Sequence, residues 1–226
     1  SQGSYDAVIG ADGVYSQTRA AILPEAEKPE FTGQSVWRYN FPRTPGLDAL
    51  QVYNGPTGVG LVPMSAELMY MYVTTPEPGN PRYPREGLAA VMRSKLAHCS
   101  PQIRALADQI TDDAAVVYRP LEAMLVRGDW SKGRVGLLGD AVHATTPHLG
   151  QGAGMAIEDA IVIAEELDRH DDVAAAFAAF RERRFERCRY IVESSLAICH
   201  GQLGLGPMVD NHQATADMFA VISQPI

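Results

Sequence analysis

Cysteine is scarce in this chain, with only Cys99, Cys188 and Cys199 among 226 residues. Three thiols with no close pair fit neither a disulfide framework nor a thiolate metal site, and they point to a reducing, cytoplasmic setting. Apolar runs of roughly 18 residues are missing too, so no membrane-spanning helix is expected. No basic-then-apolar leader pattern opens the chain. Positive charge is in deficit: 19 Lys and Arg stand against 27 Asp and Glu, for a net charge of −8. Such a surface repels phosphate, and a nucleic-acid partner is not expected. His98, His170, His200 and His212 form no ligand set, so no metal is expected. Internal repeats and low-complexity tracts are absent. What remains is globular in composition, 46% apolar and 20% charged. At about 150 residues per domain the length suits one large domain or two small ones.

Tyr5-Asp6-Ala7-Val8-Ile9-Gly10 reads as a short buried strand, followed by Ala11-Asp12-Gly13 and a helical stretch from Val14 to Leu23 that Pro24 ends. Ser1-Gln2-Gly3-Ser4 resembles a hairpin tip whose first strand is missing, so the chain is expected to start inside a domain. From about Phe31 the texture changes. Ser35–Phe41, Leu50–Tyr53, Val59–Pro63 and Leu68–Thr75 are strand-like, punctuated at Pro45-Gly46, Gly55-Pro56 and Gly58 as hairpins require. Strand alternation puts Met69, Met71 and Val73 on one face and Tyr70, Tyr72 and Thr74 on the other. A proline-rich linker, helices over Glu86–His98 and Gln102–Gln109, and strands over Ala115–Arg119 and Ala123–Val126 follow.

Gly133 to Asp140 then reads as a second buried strand, with a helix over Gly152–Leu167 after a glycine-rich loop. Asp171 or Asp172 caps a long helix ending near Gly201, whose Phe177, Phe180, Arg184, Cys188 and Ile191 recur at helical spacing. The charged run Arg181–Arg189 is read as a solvated face with i,i+4 pairing. A last helix covers Asp210–Ile222.

The chemistry concentrates in Gly139-Asp140-Ala141-Val142-His143, Pro147-His148 and Gly150-Gln151-Gly152-Ala153-Gly154, closed by Glu158-Asp159-Ala160. A strand delivers Asp140 to its C-terminal end, the ligand-facing edge of an α/β sheet. A carboxylate there can accept hydrogen bonds from sugar-like hydroxyls. The glycines let a flat ligand approach the backbone, and the following helix aims its free amides at the same place.

This segment resembles the second FAD-binding motif of the aromatic-ring flavoprotein monooxygenases, the p-hydroxybenzoate hydroxylase and salicylate hydroxylase family. The opening Asp12-Gly13-Val14-Tyr15-Ser16-Gln17-Thr18-Arg19 resembles the same family's Asp-Gly motif, about 120 residues earlier. The resemblance implies an α/β (α+β) chain: a Rossmann-like FAD-binding domain (1–30 and 128–168) interrupted by an antiparallel-sheet substrate domain (31–127), with C-terminal helices (169–226). It implies a flavoprotein monooxygenase that takes hydride from NAD(P)H and uses O2 to hydroxylate a small aromatic substrate.

Carried over by position, Asp140 beside Gly139 binds the ribityl chain of FAD, and Pro147 lies beside the reactive ring face. The amides of Gly150, Gln151, Gly152 and Ala153 face the flavin pyrimidine edge. Asp12 and Arg19 sit near the pyrophosphate and the passing nicotinamide nucleotide. Tyr70 and Tyr72 can bind or deprotonate a phenol, or simply pack on the sheet. Arg38 can meet a substrate carboxylate, and His148 can touch substrate. His143 is expected to be a structural hydrogen-bonder.

One departure is large. The family's Gly-x-Gly-x-x-Gly turn for the ADP half is absent, because Gly201-Gln202-Leu203-Gly204-Leu205-Gly206 has the wrong spacing and follows a helix. The chain is therefore expected to be a C-terminal portion, weak in FAD binding alone, with open strand edges beside Val8 and Leu137 that invite self-association or a missing N-terminal segment. The alternatives are another flavin enzyme of this fold (epoxidase, halogenase or reductase) and a flavin-less interaction module. No Trp-x-Trp-x-Ile-Pro halogenase signature is present.

Overall fold

A computed structural model describes residues 3–55 and 57–226. Ser1 and Gln2 of the hairpin tip and Pro56 of the expected turn lie outside the described residues. The chain divides into two compact units, residues 1–30 with 122–226 and residues 31–121.

The first unit holds a three-stranded sheet. β1 (Val8–Gly10) leads through the Asp12 loop to α1 (Gln17–Ile22), which starts later than the apolar pattern suggests because Ser16 caps it, accepting from the Arg19 amide. The second unit opens with β2 (Glu30–Pro42), β3 (Gln51–Tyr53), β4 (Gly58–Pro63) and β5 (Leu68–Pro76), followed by α2 (Leu88–Lys95) and α3 (Pro101–Ala107). Its last strand is β6 (Val117–Ala123). Two strands were expected between 115 and 126. The structure has one, and Met124 and Val126 instead bond to the backbone of Ala144 and Val142.

The first unit then resumes with β7 (Ser131–Lys132), β8 (Val135–Leu137), the one-turn helix α4 (Asp140–His143), and a 3-10 turn at Pro147–Leu149. Three helices complete it: α5 (Gly152–Arg169), α6 (Val173–Gln202) and α7 (Asn211–Ile222). Asp172 and Asp210 cap the last two with their carboxylates.

β1 and β8 pair in parallel, Val8 with Val135 and Gly10 with Leu137, as the two strand-to-glycine patterns imply. Their C-terminal ends therefore emerge side by side, and with them the Asp12 and Asp140 loops. β7 covers the far side of β8, so the open edge expected beside Leu137 is closed. The edge beside Val8 has no strand partner among the described residues. Val8 and Ile9 are 44% and 42% exposed, so β1 is not the buried strand its apolar sequence suggests. The core of this unit lies on the other side, where Trp130, Leu137, Val142, Met155, Phe177, Phe180 and Ile191 pack together.

The second unit is a five-stranded sheet in the order β3-β4-β5-β2-β6. Burial alternates with period two along β5 as far as Val73: Met69, Met71 and Val73 are fully buried and pack with Trp37, Leu61, Met92, Leu96 and Ile103, while Tyr70 and Tyr72 face away; beyond them Thr74 and Thr75 are both buried. Trp37 stacks near Tyr118, at 4.4 Å between ring centroids, and donates from Nε1 to Thr75 at 2.9 Å. Thr75 in turn donates to the buried Glu77, which also accepts from Tyr83 and pairs with Lys95 at 2.8 Å. Every polar atom named in this chain has a partner, which is what keeps a buried carboxylate tolerable.

Candidate functional site

Asp12 follows β1 and folds back over the start of α1. Its carboxylate accepts from the Ser16 hydroxyl at 2.5 Å and from the Thr18 amide and hydroxyl at 2.9 and 3.0 Å. Desolvation works against its charge, but these donors outweigh it and pull its pKa down to about 2. Arg19 behaves differently from the expectation of a cation near a passing nucleotide. It is buried, and its guanidinium donates to Ala141 O at 2.7 Å and Val14 O at 2.8 Å. Its charge is spent inside the chain, where it ties α1 to the middle of α4. Sequence offered no sign of this, because an arginine on a short helix reads as a surface charge. Tyr15 donates its hydroxyl to Glu122, where the chain re-enters the same unit.

Gly139 links β8 to α4 with φ 61° and ψ −144°, a conformation that favours glycine. Asp140 is the first residue of α4, and its exposed carboxylate has no partner among the described residues. Behind it lies a closed group of charges. Asp159 on α5 accepts from the Gly139 amide at 2.9 Å, pairs with His143 Nε2 at 2.6 Å, and accepts from Arg184 Nε at 2.8 Å. Arg184 Nη1 also lies 2.6 Å from Glu158. His143, Asp159 and Arg184 are completely buried. The expectation of a wholly solvated face on α6 is therefore corrected: Arg184 and Cys188 lie inside, while Arg181, Glu186 and Arg189 are on the outer side.

Burial opposes a charge on His143, but the neighbouring Cys188 sulfur and the Asp159 carboxylate prevail and push its pKa up to about 10. His143 is thus an imidazolium at neutral pH, a structural hydrogen-bonder rather than a base. Its folded pKa exceeds its unfolded value of 6.5. The stabilisation it contributes is therefore complete below that value and is lost as pH rises toward about 10. Melting temperature is expected to fall over this window in the native protein and to fall less in His143→Gln. Equal alkaline slopes for the two proteins would contradict it. A nitrogen of His143, an oxygen of Asp159 and the Cys188 sulfur lie within 4.8 Å of one another, the kind of set a metal uses. Here Arg184 already supplies the positive charge, with Nη2 at 3.7 Å from the sulfur.

The glycine-rich loop follows. Pro147 is exposed at the start of the 3-10 turn, and Gly150 closes that turn with φ 66°. Gln151 precedes α5 without giving it a side-chain cap, so its first amides, from Gly152 and the exposed Ala153, keep their donors unclaimed by any side chain. An 18-residue helix adds its positive end to them. His148 has both ring nitrogens engaged, with Thr146 Oγ1 at 2.9 Å and Gln202 Oε1 at 3.2 Å. Burial lowers its pKa, so it is neutral and anchored. Gln202, at the end of α6, was not foreseen; nothing in a helix-terminal glutamine marks it as the brace of a distant loop.

An unpaired carboxylate, uncapped amides and glycine backbone at one end of a parallel strand pair fit the ribityl and ring portions of FAD. The residues expected to meet substrate lie in the second unit. Arg38, Tyr72 and Gly60 are cross-strand neighbours on one face, and Asn40, Tyr70 and Val62 form the next row. A Cβ on Gly60 would come within 2.0 Å of the Tyr72 ring, so the missing side chain is what lets that ring lie on β4. The Tyr70 and Tyr72 rings are 6.5 Å apart. Burial, then the neighbouring Tyr70, push the Tyr72 phenol up. The Tyr72 phenol thus keeps its proton at neutral pH and is able to donate a hydrogen bond.

Residues 5–175 match the family model described as FAD binding domain. The Bacillus subtilis (strain 168) protein YetM is 32% identical over 222 residues, covering 97% of this chain and 59% of the relative. The FAD-dependent urate hydroxylase of Mycolicibacterium vanbaalenii is 33% identical over 201 residues, covering 84% of this chain and 49% of the relative. The crystal structure of Klebsiella pneumoniae HpxO complexed with FAD and uric acid matches with a TM-score of 0.79 at 28% identity, over 99% of this chain and 57% of that one. The chain thus spans about half to three-fifths of the length of these relatives. It belongs to the FAD-dependent aromatic-ring monooxygenase family.

Proposed function

We propose that this chain forms the flavin-side part of an FAD-dependent monooxygenase that hydroxylates a small, electron-rich aromatic ring with NAD(P)H and O2. The observation that carries the reading is the exposed, unpartnered carboxylate of Asp140 beside the uncapped start of α5. Bound FAD supplies the redox chemistry, accepting hydride and activating O2. The protein supplies the setting. Asp140 accepts hydrogen bonds from the ribityl hydroxyls. The amides of the Gly150–Ala153 turn stabilise negative charge gathering on the pyrimidine edge. Pro147 walls the ring without offering a competing donor. Tyr72, with its proton kept on, donates to a substrate oxygen beside Tyr70, and Arg38 attracts an acidic substituent. Asp12 shapes the loop facing the pyrophosphate, and Arg19 acts through the backbone of α4.

No residue in the chain supplies the Gly-x-Gly-x-x-Gly turn that grips the ADP half of such a cofactor. That grip is proposed to come from a further segment, whose strand can pair along the open edge of β1; a second copy of the chain could use the same edge. The 226 residues alone are then expected to hold FAD weakly, and a flavin-less module is the second reading that the missing turn favours.

The test compares the chain with the full-length protein that carries it. The full-length protein is expected to purify with visible flavin absorbance and to consume NADH or NADPH faster when urate or another small aromatic is added, with one oxygen atom entering the product. The chain alone should lose FAD on dialysis. A full-length protein that takes up no FAD would overturn the reading. Product bearing halogen or an epoxide, or reduced substrate without oxygen insertion, would move it to another flavin chemistry.

A further inference from the structure

α4 is four residues long, too short to be stable by itself. Its shape must come from what holds it. A single carboxylate grips both of its ends: Asp159 Oδ2 accepts from the Gly139 amide just before it and pairs with the ring of His143 at its last position, at 2.9 and 2.6 Å. Arg184 holds the other oxygen of that carboxylate at 2.8 Å. The carbonyl of Ala141, in the middle of the turn, is taken by Arg19. Asp140 alone of these positions turns an uncommitted side chain outward.

We propose that Asp159 is a positioning residue: its buried negative charge, shared by His143 and Arg184, clamps the Gly139–His143 turn in the form that presents Asp140 to the flavin. The proposal rests on the reading of Asp140 as a flavin ligand. Charge matters here beyond shape. Three donors converge on Asp159, and two of them are cationic. An asparagine of the same size offers one oxygen, so its amide nitrogen must face a donor. It also leaves His143 and Arg184 together in the interior without their common counterion.

The experiment uses Asp159→Asn in the full-length protein, with His143→Gln as the second variant. Three quantities are read: FAD dissociation constant, melting temperature without FAD, and hydrogen exchange of the Gly139 amide without FAD. Asp159→Asn, folded at the assay temperature, is expected to bind FAD ten- to hundredfold more weakly and to exchange Gly139 at least tenfold faster. Affinity within twofold of the native protein in a folded variant would overturn the proposal. Should Asp159→Asn not fold, His143→Gln decides: it keeps the carboxylate but removes one of its cations, and is expected to weaken FAD binding at least threefold; unchanged binding would overturn the proposal. If the native protein itself binds no FAD, the flavin reading fails. Gly139 exchange then separately decides the clamp: faster exchange in Asp159→Asn supports it, and unchanged exchange overturns it.

Discussion

Arg184→Met is expected to lower the stability of the protein by about 3–5 kcal/mol, the usual cost of removing one member of a buried charge group. Methionine fills most of the aliphatic volume, so packing loss is a minor part of the effect. What remains is the carboxylate of Asp159, completely buried with His143 as its one cationic partner beside the Gly139 amide, and a Glu158 that keeps Arg187 at 2.9 Å as its ion-pair partner among the described residues. Urea unfolding measures the change. In the double variant Arg184→Met with Asp159→Asn, the losses are expected to sum to less than the separate effects, because the second change removes a charge the first had already stranded. A loss below about 1 kcal/mol for Arg184→Met would mean the group is solvated like an ordinary surface pair.

Asp140→Ala is expected to act on the cofactor and spare the fold. A hydrogen bond to a charged group is worth roughly 1.5–3 kcal/mol, a tenfold to hundredfold loss of FAD affinity. The Asp140 side chain is exposed and bonds to no other described residue, so the melting temperature of the flavin-free protein should stay within the small range of a surface change. Equilibrium dialysis against FAD and a thermal melt of the same preparation give both numbers. Unchanged affinity, or an affinity loss matched by a collapse in stability, would contradict the assignment of Asp140 as an outward-facing ligand.

These two residues mark what the sequence makes legible. Asp140 can be read because its meaning is local: a strand, a glycine and a carboxylate place it at a sheet edge wherever the strand lies. The two faces of the β5 strand can be read for the same reason, since alternation from Met69 to Val73 is a property of consecutive residues. Arg184 is harder, because its neighbours Arg181, Glu182, Arg183 and Glu186 suggest water on all sides. The signal was its place in a stripe with Phe177, Phe180, Cys188 and Ile191: a charge in a buried stripe demands a buried counterion, here 25 residues away in Asp159. Arg19 and Gln202 had no such mark. Their partners, Ala141 O and the His148 ring, are set by how helices return to a loop 122 and 54 residues distant. The exposure of β1 was equally hidden, since Val8 and Ile9 are apolar whether or not a strand covers them.

The most direct measurement of the central claim is hydrogen exchange across the full-length protein with and without FAD. The flavin-side assignment predicts that FAD slows exchange at the start of α5, from Gly152 to Gly154, and in the turn at Gly139 and Asp140. It predicts little change along α2 and α3, which pack on the opposite face of the second unit's sheet from Tyr70 and Tyr72. Bound flavin that leaves both the Gly139 turn and the Gly152 amides exchanging at their free rates would contradict it.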